Sequence, residues 1–439
     1  MDSELSRRDF LRRTAETAVA APFFLLPGRS RGAQKQLSIA KWAHFVPEFD
    51  TWFETMAQDW GRRNQTEVTV DTIPVEQVHD RAAAEIKAGK GHDVFMFPWP
   101  PAEYHQHAID HKDVYYAVAR KYGVIDRLAH RSTFYVREKK YFAFADSWIP
   151  APLHYFEDCW SAVGMPMGPV HWNSLRTGGA RIREKLDIPC GLALTPSLES
   201  NVTLHTLLCS FRSGTVDVNG RVILAGNRTV AALQYIKDLW RDAGAPETLS
   251  WGPGGNVRAM MAHRASCSVN AISLLRTVEK QSPGTAKKIM LQPPLLGSNG
   301  VVAVPHVTNC SVVWSFSRSQ DAARQFLADL IDSSRTAYEQ SLGCNMPFYQ
   351  KTVPDLIVRL QNDARGDPPY KYEQLKDALH WTHNLGVPGY ATPAAMEVFN
   401  SFIVPKMFLS VAKGEAAPED AARSAAAEVQ RIAEKWSQA

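Results

Sequence analysis

Between Leu37 and Phe97 the hydrophobic period changes four times, and this alternation constrains the fold more than any other feature of the chain. Leu37–Ala43 (LSIAKWA) reads as a buried strand. From Phe49 to Arg63 apolar residues recur at helical spacing: Phe49, Trp52, Phe53, Met56 and Trp60. Glu67–Ile73 alternates again, with Val68 and Val70 on one face. Glu76–Ala88 is helical, and Gly89 is placed to end it. Asp93–Phe97 is a third strand, stopped by Pro98-Trp99-Pro100-Pro101. Strand, helix, strand, helix, strand builds a parallel sheet covered by its own crossovers.

The residues ahead of this unit set a compartment. Ser6-Arg7-Arg8-Asp9-Phe10-Leu11 precedes a short apolar run, Ala18–Leu26, interrupted by Pro22. The run falls short of the roughly 20 apolar residues a membrane span needs. The segment resembles a twin-arginine (Tat) export signal, S-R-R-x-F-L, so residues 1–33 are expected to be a signal peptide. That implies folding in the cytoplasm, passage through the Tat machinery and a free periplasmic protein. The mature chain would hold 43 basic and 41 acidic side chains. Such a balance argues against nucleic acid and anionic membranes, which call for clustered basic charge. The remaining length exceeds one core, so two domains are expected. The six cysteines form no C-x-x-C pair and are expected mostly as buried apolar residues.

Further along, residues 140–156 (KYFAFADSWIPAPLHYF) are extended and aromatic, and read as a chain crossing between lobes. Thr229–Ala243 is an amphipathic helix, Ser319 is expected to cap a helix running to Ile331, and Pro418–Trp436 is a helix opened by Pro and two acids. There is no repeat and no low-complexity linker, which suggests lobes joined by several segments.

A succession of loose motifs carries a family likeness. After the opening unit come Gly89-Lys-Gly-His-Asp-Val94, LHYFEDCWSAVGMP (153–166), GLALTPSLESNVTLHTLL (191–208) and DLWRDAGAPETLSWG (238–252). NVRAMMAHRASCSVNAISLLR (256–276), PPLLGSNG (293–300) and GVPGYATPAAMEVF (386–399) follow. This order resembles the extracellular solute-binding proteins of ABC importers, in the sugar-binding family that includes maltose-binding protein. The resemblance implies the α/β two-lobed periplasmic-binding-protein fold of type II, each lobe a sheet flanked by helices. It implies an N-terminal lobe of residues 34–145 and 292–330 and a C-terminal lobe of 146–291 and 331–439. It further implies a monomeric binder without cofactor that delivers its solute to a membrane permease. The chain lacks G-x-x-x-x-G-K-[ST], so ATP would be hydrolysed elsewhere.

Ligands of open parallel sheets bind beyond the carboxyl ends of the strands. That rule selects Trp42 and His44 after the first strand, and Phe97 and Trp99 after the third. Aromatic rings pack on the C–H faces of a sugar, and its hydroxyls need directional polar partners. In the second lobe the candidates are Glu199 and Asn201, which the resemblance brings to the cleft. Trp251 and Asn256 flank a glycine-rich turn, and Asn270 ends an apolar segment. Tyr390 in the Pro388-Gly389 turn and Trp148 in the crossing segment are candidates to close the site.

Other chemistry is less well supported. His107 and His111 stand four apart, and no third ligand marks a metal site; a solvated helix face is the expectation. Gly297-Ser298-Asn299-Gly300 is not a nucleophile elbow. A carbohydrate enzyme needs paired carboxylates on facing walls; Asp93, Asp146 and Glu199 are candidates without a defined pairing. A polyol, a phosphorylated glycerol or a polyamine stays open as solute, since Arg258, Arg264 and Arg276 are available to an anion.

Overall fold

The computed structural model describes residues 35–438 apart from 218 and 299. The expected signal peptide, residues 1–33, lies outside the described residues. The opening alternation forms as expected: β1 (Lys35–Trp42), α1 (Pro47–Arg63), β2 (Thr66–Ile73), α2 (Val78–Ala88) and β3 (Val94–Phe97). β1 pairs in parallel with β2 on one side and β3 on the other, in register from Lys35 against Thr66 to Trp42 against Ile73. α1 buries Phe53, Ala57, Trp60 and Gly61, the face its apolar spacing marked. Gly89 ends α2 in the left-handed conformation at φ 61°, which glycine adopts without steric cost.

Residues 140–156 pass from one sheet to another. β4 (Phe144–Ile149) lies in the first sheet, and after three residues β5 (Leu153–Phe156) lies in a second. Next come α3 (Trp172–Leu186), α4 (Leu198–Ser210), α5 (Asn227–Ala243), β6 (Cys267–Val269) and β7 (Ile289–Gln292). β8 (Val307–Val313) returns to the first sheet, followed by α6 (Gln320–Leu330) and β9 (Met346–Pro347). The larger sheet runs β9-β4-β8-β3-β1-β2, and the smaller β6-β5-β7. β8 is antiparallel to both neighbours, and its register shifts between Thr308 and Cys310. It is buried along its whole length despite Thr308, Asn309 and Ser311.

α7 (Pro393–Asn400), α8 (Ile403–Ala412) and α9 (Pro418–Gln438) close the chain, with α8 against α4, α5 and α9. Among the described residues no single helix is long and apolar enough to cross a membrane. Cys159, Cys190, Cys267, Cys310 and Cys344 are buried free thiols.

Two local expectations need correction. Ser319 stands at the N-cap of α6, but its side chain makes no capping bond. The Ser317 hydroxyl accepts the Ser319 N–H instead (3.0 Å) while donating to Asp93 (2.6 Å). The 104–111 stretch is not a solvated helix. A 3-10 turn ends at His107, α-helix resumes only at Lys112, and His111 is fully buried. His111 Nδ1 lies 3.0 Å from the Tyr141 carbonyl, and its Nε2 accepts the Val313 N–H (3.0 Å). The break in the helix separates the two histidines and turns one into a brace of the first sheet.

Candidate functional site

A cavity of about 440 Å³ lies where the carboxyl ends of β1 and β3 face the amino end of α4. One wall comes from Phe45, the start of α2 (His79, Asp80) and Trp99. The opposite wall is Pro196–Glu199, Asn201 and Pro253. His306, just ahead of β8, and the α7–α8 junction (Phe399, Asn400, Phe402) close the remaining side. The volume is within the ~300–1,000 Å³ range of small-molecule sites.

Trp99 is locked in place. Its ring stacks on His79 (centroids 5.1 Å apart, 14° between planes) and its indole N–H donates to Asn400 Oδ1 (2.8 Å). The Asn400 amide donates to Glu103 Oε1 (2.8 Å), which also lies 2.9 Å from His79 Nδ1. Phe399 adds a second ring, 5.9 Å from Trp99. Residues of α2, the β3 exit and α7 thus hold one aromatic plate.

The opposite wall begins at the N-cap of α4, where Ser197 accepts the Ser200 N–H (3.3 Å). Asn201 is buried with its amide on the Phe399 carbonyl (2.7 Å), and its Oδ1 has no hydrogen-bond partner among the described residues. His306 Nδ1 is likewise buried and unpartnered, and burial pulls this imidazole down to about 4, so it is neutral at physiological pH. Glu199 Oε1 accepts the Gly254 N–H at 3.4 Å. Among the described residues the lining carries Glu76, Asp80 and Glu199 and no lysine or arginine.

Of the residues singled out from sequence, the fold brings Trp99, Glu199 and Asn201 to this cavity. Trp42 and His44 sit behind it in a buried polar knot. The Trp42 N–H donates to Asn309 Oδ1 (3.1 Å), His44 Nε2 meets Asn345 Oδ1 (3.1 Å), and Asn309 reaches Ser147 (2.9 Å). The register shift in β8 falls at Asn309 and re-aims its side chain, as bulges do. Phe97 is core, 4.8 Å from Phe95. Trp148 is buried and stacks on Phe348.

Trp251 is half-buried and its carbonyl accepts from the Thr195 hydroxyl, one layer back from Pro196. Asn256 donates to Ser268 (3.1 Å). Asn270 accepts the Ala271 N–H (2.7 Å), leaving its amide nitrogen buried and unpartnered. Tyr390 packs away from the cavity against His130, 3.4 Å from its hydroxyl.

The enzyme candidates do not converge. Asp93 sits just ahead of β3, at the end opposite the cavity, fixed by Ser38 (2.8 Å) and Ser317. Asp146 belongs to the buried knot, where burial pushes its carboxyl up to about 6. Only Glu199 of the three faces the cavity. None of the available arginines lines it either. Arg276 is buried on Glu279 (2.8 Å) and Asp363, while Arg258 and Arg264 are exposed. Sequence reasoning missed His79, His306, Phe399 and Asn400. The signal for Phe399 was within reach, since the late motif GVPGYATPAAMEVF ends there.

No family model matches the chain. The arabinooligosaccharide-binding protein of Bacillus subtilis (strain 168) is 21% identical over 318 residues, covering 68% of this chain and 70% of that protein. An ABC-transporter solute-binding protein from Thermotoga lettingae, solved with alpha-D-tagatose, superposes with a TM-score of 0.74 at 16% identity over 91% of this chain and 100% of that one. A sugar transporter from Arthrobacter chlorophenolicus A6 with bound laminaribiose gives a TM-score of 0.75 at 13% identity, over 90% and 99%. The chain has the two-lobed α/β fold of type II periplasmic binding proteins.

Proposed function

We propose that this protein is the solute-binding component of an ABC importer and holds a sugar or related polyhydroxy solute in the 440 Å³ cavity. One observation carries the reading: a fixed indole plate shares the cavity lining with Glu199, Asn201 and His306, the last two of which each carry a buried polar atom without a partner among the described residues. Rings take the C–H face of a pyranose, and its hydroxyls both donate and accept. Asn201 Oδ1 would accept from one hydroxyl and Glu199 from another, while His306 Nδ1 would satisfy a third. An unpartnered buried polar group costs about 1–3 kcal/mol, so a ligand that satisfies it gains affinity. The names of the similar proteins, binders of an arabinooligosaccharide, tagatose and laminaribiose, support the same class.

The first lobe in this reading gathers residues 35–149 and 307–347, and the second 150–306 and 348–438. The pairing of Met346–Pro347 with β4 supports a return near 347 in place of the 330 expected from sequence. Solute would bridge the walls and favour the closed arrangement, a two-state shift that a membrane permease can read. The compartment in the proposal is the periplasm, reached as a folded monomer by the Tat route.

The three carboxylates and absent basic residues also favour a cationic solute such as a polyamine as the second reading, and disfavour sugar acids and phosphorylated glycerol. A thermal-shift screen against neutral saccharides, polyols, sugar acids and polyamines tests this. A rise with saccharides, with oligosaccharides recovered intact, supports the proposal. A rise with polyamines alone replaces it, and saccharide hydrolysis makes the protein an enzyme.

A further inference from the structure

Where β5 ends and β6 begins, three different metal-ligating side chains meet. Asp158 and Cys159 open the short helix Glu157–Ser161 directly after β5. His263 lies past the helix Gly255–Met261 and ahead of β6. Its backbone is left-handed at φ 55°, unusual for a residue with a side chain, and its ring stacks on Phe156 with centroids 4.0 Å apart. Both features aim the imidazole at the helix start. His263 Nε2 is 3.3 Å from Cys159 Sγ and 3.4 Å from Asp158 Oδ1. All three ligand atoms lie within 4.8 Å of one another.

Those separations match the edges of a coordination tetrahedron. Zinc bonds of about 2.3 Å to sulfur and about 2.0–2.1 Å to nitrogen and oxygen, at tetrahedral angles, set sulfur about 3.6 Å and oxygen about 3.4 Å from the nitrogen. The other Asp158 oxygen is held by Lys288 Nζ (2.9 Å), while Oδ1 accepts the Cys159 N–H (2.9 Å) and faces the histidine. Such outer contacts orient metal ligands. Asp158 is 41% and His263 30% exposed, so an ion can enter from solvent while the sulfur stays shielded.

We propose that Asp158, Cys159 and His263 form a site for a divalent metal of borderline softness, with zinc as the type, completed by one water. On binding, the Cys159 thiol gives its proton to solvent and a metal–sulfur bond forms; thiolate and carboxylate together neutralise the ion's two charges. No oxidation state changes. The metal would tie the exit of β5 to the entrance of β6, bracing the second lobe without touching the solute.

The test uses the full chain stripped with EDTA and titrated with zinc chloride against a chromophoric chelator, in parallel with cobalt(II) absorption. We expect one tight equivalent of zinc, a raised melting temperature, and a near-ultraviolet thiolate-to-cobalt band. Cys159→Ser should abolish that band. Asp158→Asn and His263→Asn, at partly exposed positions, should fold normally and weaken zinc at least tenfold. A missing thiolate band, or zinc affinity unchanged in all three variants, overturns the site and assigns any residual binding to other histidines.

Discussion

Acidification from pH 8 to pH 5 is expected to unfold this protein, because five imidazoles are buried in neutral form. His44, His111, His154, His205 and His306 are all at most 8% exposed. Burial lowers each from the usual 6.5, to about 3 for His154 and to about 4 for the other four. The causes are specific: His111 is fixed as a neutral tautomer between a carbonyl and an N–H, and His205 Nε2 has no hydrogen-bond partner among the described residues.

The sign follows from linkage. A base with a depressed folded-state pKa binds its proton in the unfolded chain first, so stability is full above 6.5 and is lost as pH falls from there toward 4. At pH 5 each group costs about 2 kcal/mol, and five cost about 10 kcal/mol, comparable to the ~5–15 kcal/mol that holds a folded protein together. Asp146, raised to about 6, titrates with the opposite sign and returns about 1 kcal/mol over this range. His92, raised by Glu85 and Asp71 despite its desolvation, acts in the same direction as Asp146. The net uptake on unfolding near pH 5 is about three to four protons. Urea unfolding at half-unit steps of pH measures it directly. His205→Gln should remove about one proton from that slope. A midpoint that stays level between pH 7.5 and pH 5 would refute the assignment of these histidines as neutral and buried.

Three further outcomes follow from particular contacts. Trp99→Phe keeps a ring on His79 but loses the bond to Asn400, and Trp99→Ala loses both; calorimetric titration of the solute found by screening should show affinity falling about tenfold and about a hundredfold. Asp146→Asn should stabilise the protein by up to about 3 kcal/mol at pH 8 and by almost nothing at pH 4, because the raised carboxyl loses stability only as pH climbs through 4 to 6. Gly61→Ala should cost about 1–3 kcal/mol of stability, read as a lower urea midpoint, since a Cβ there would come within 2.5 Å of the Thr66 carbonyl where α1 packs on β2.

Elements whose signal is local are legible before the chain folds. Apolar spacing from Phe49 to Trp60, the left-handed stop at Gly89 and the Pro100-Pro101 terminus mark the opening unit within a few residues of its observed ends. The strand-end rule needs only that order, which is why Trp99 was legible. Contacts between distant segments emerge only from the packed fold. Trp99 meets Asn400 across 301 positions, and His306 reaches the cavity only because β8 inserts between β3 and β4. Trp42 occupies an equivalent strand end, yet Asn309 draws it into the interior. His111 reads as surface from its polar neighbours, but a broken helix turns it inward. Periodicity is set by neighbours a few bonds away. Which polar group finds a partner and which is left facing the cleft depends on chain segments hundreds of residues apart, and only the folded packing fixes that.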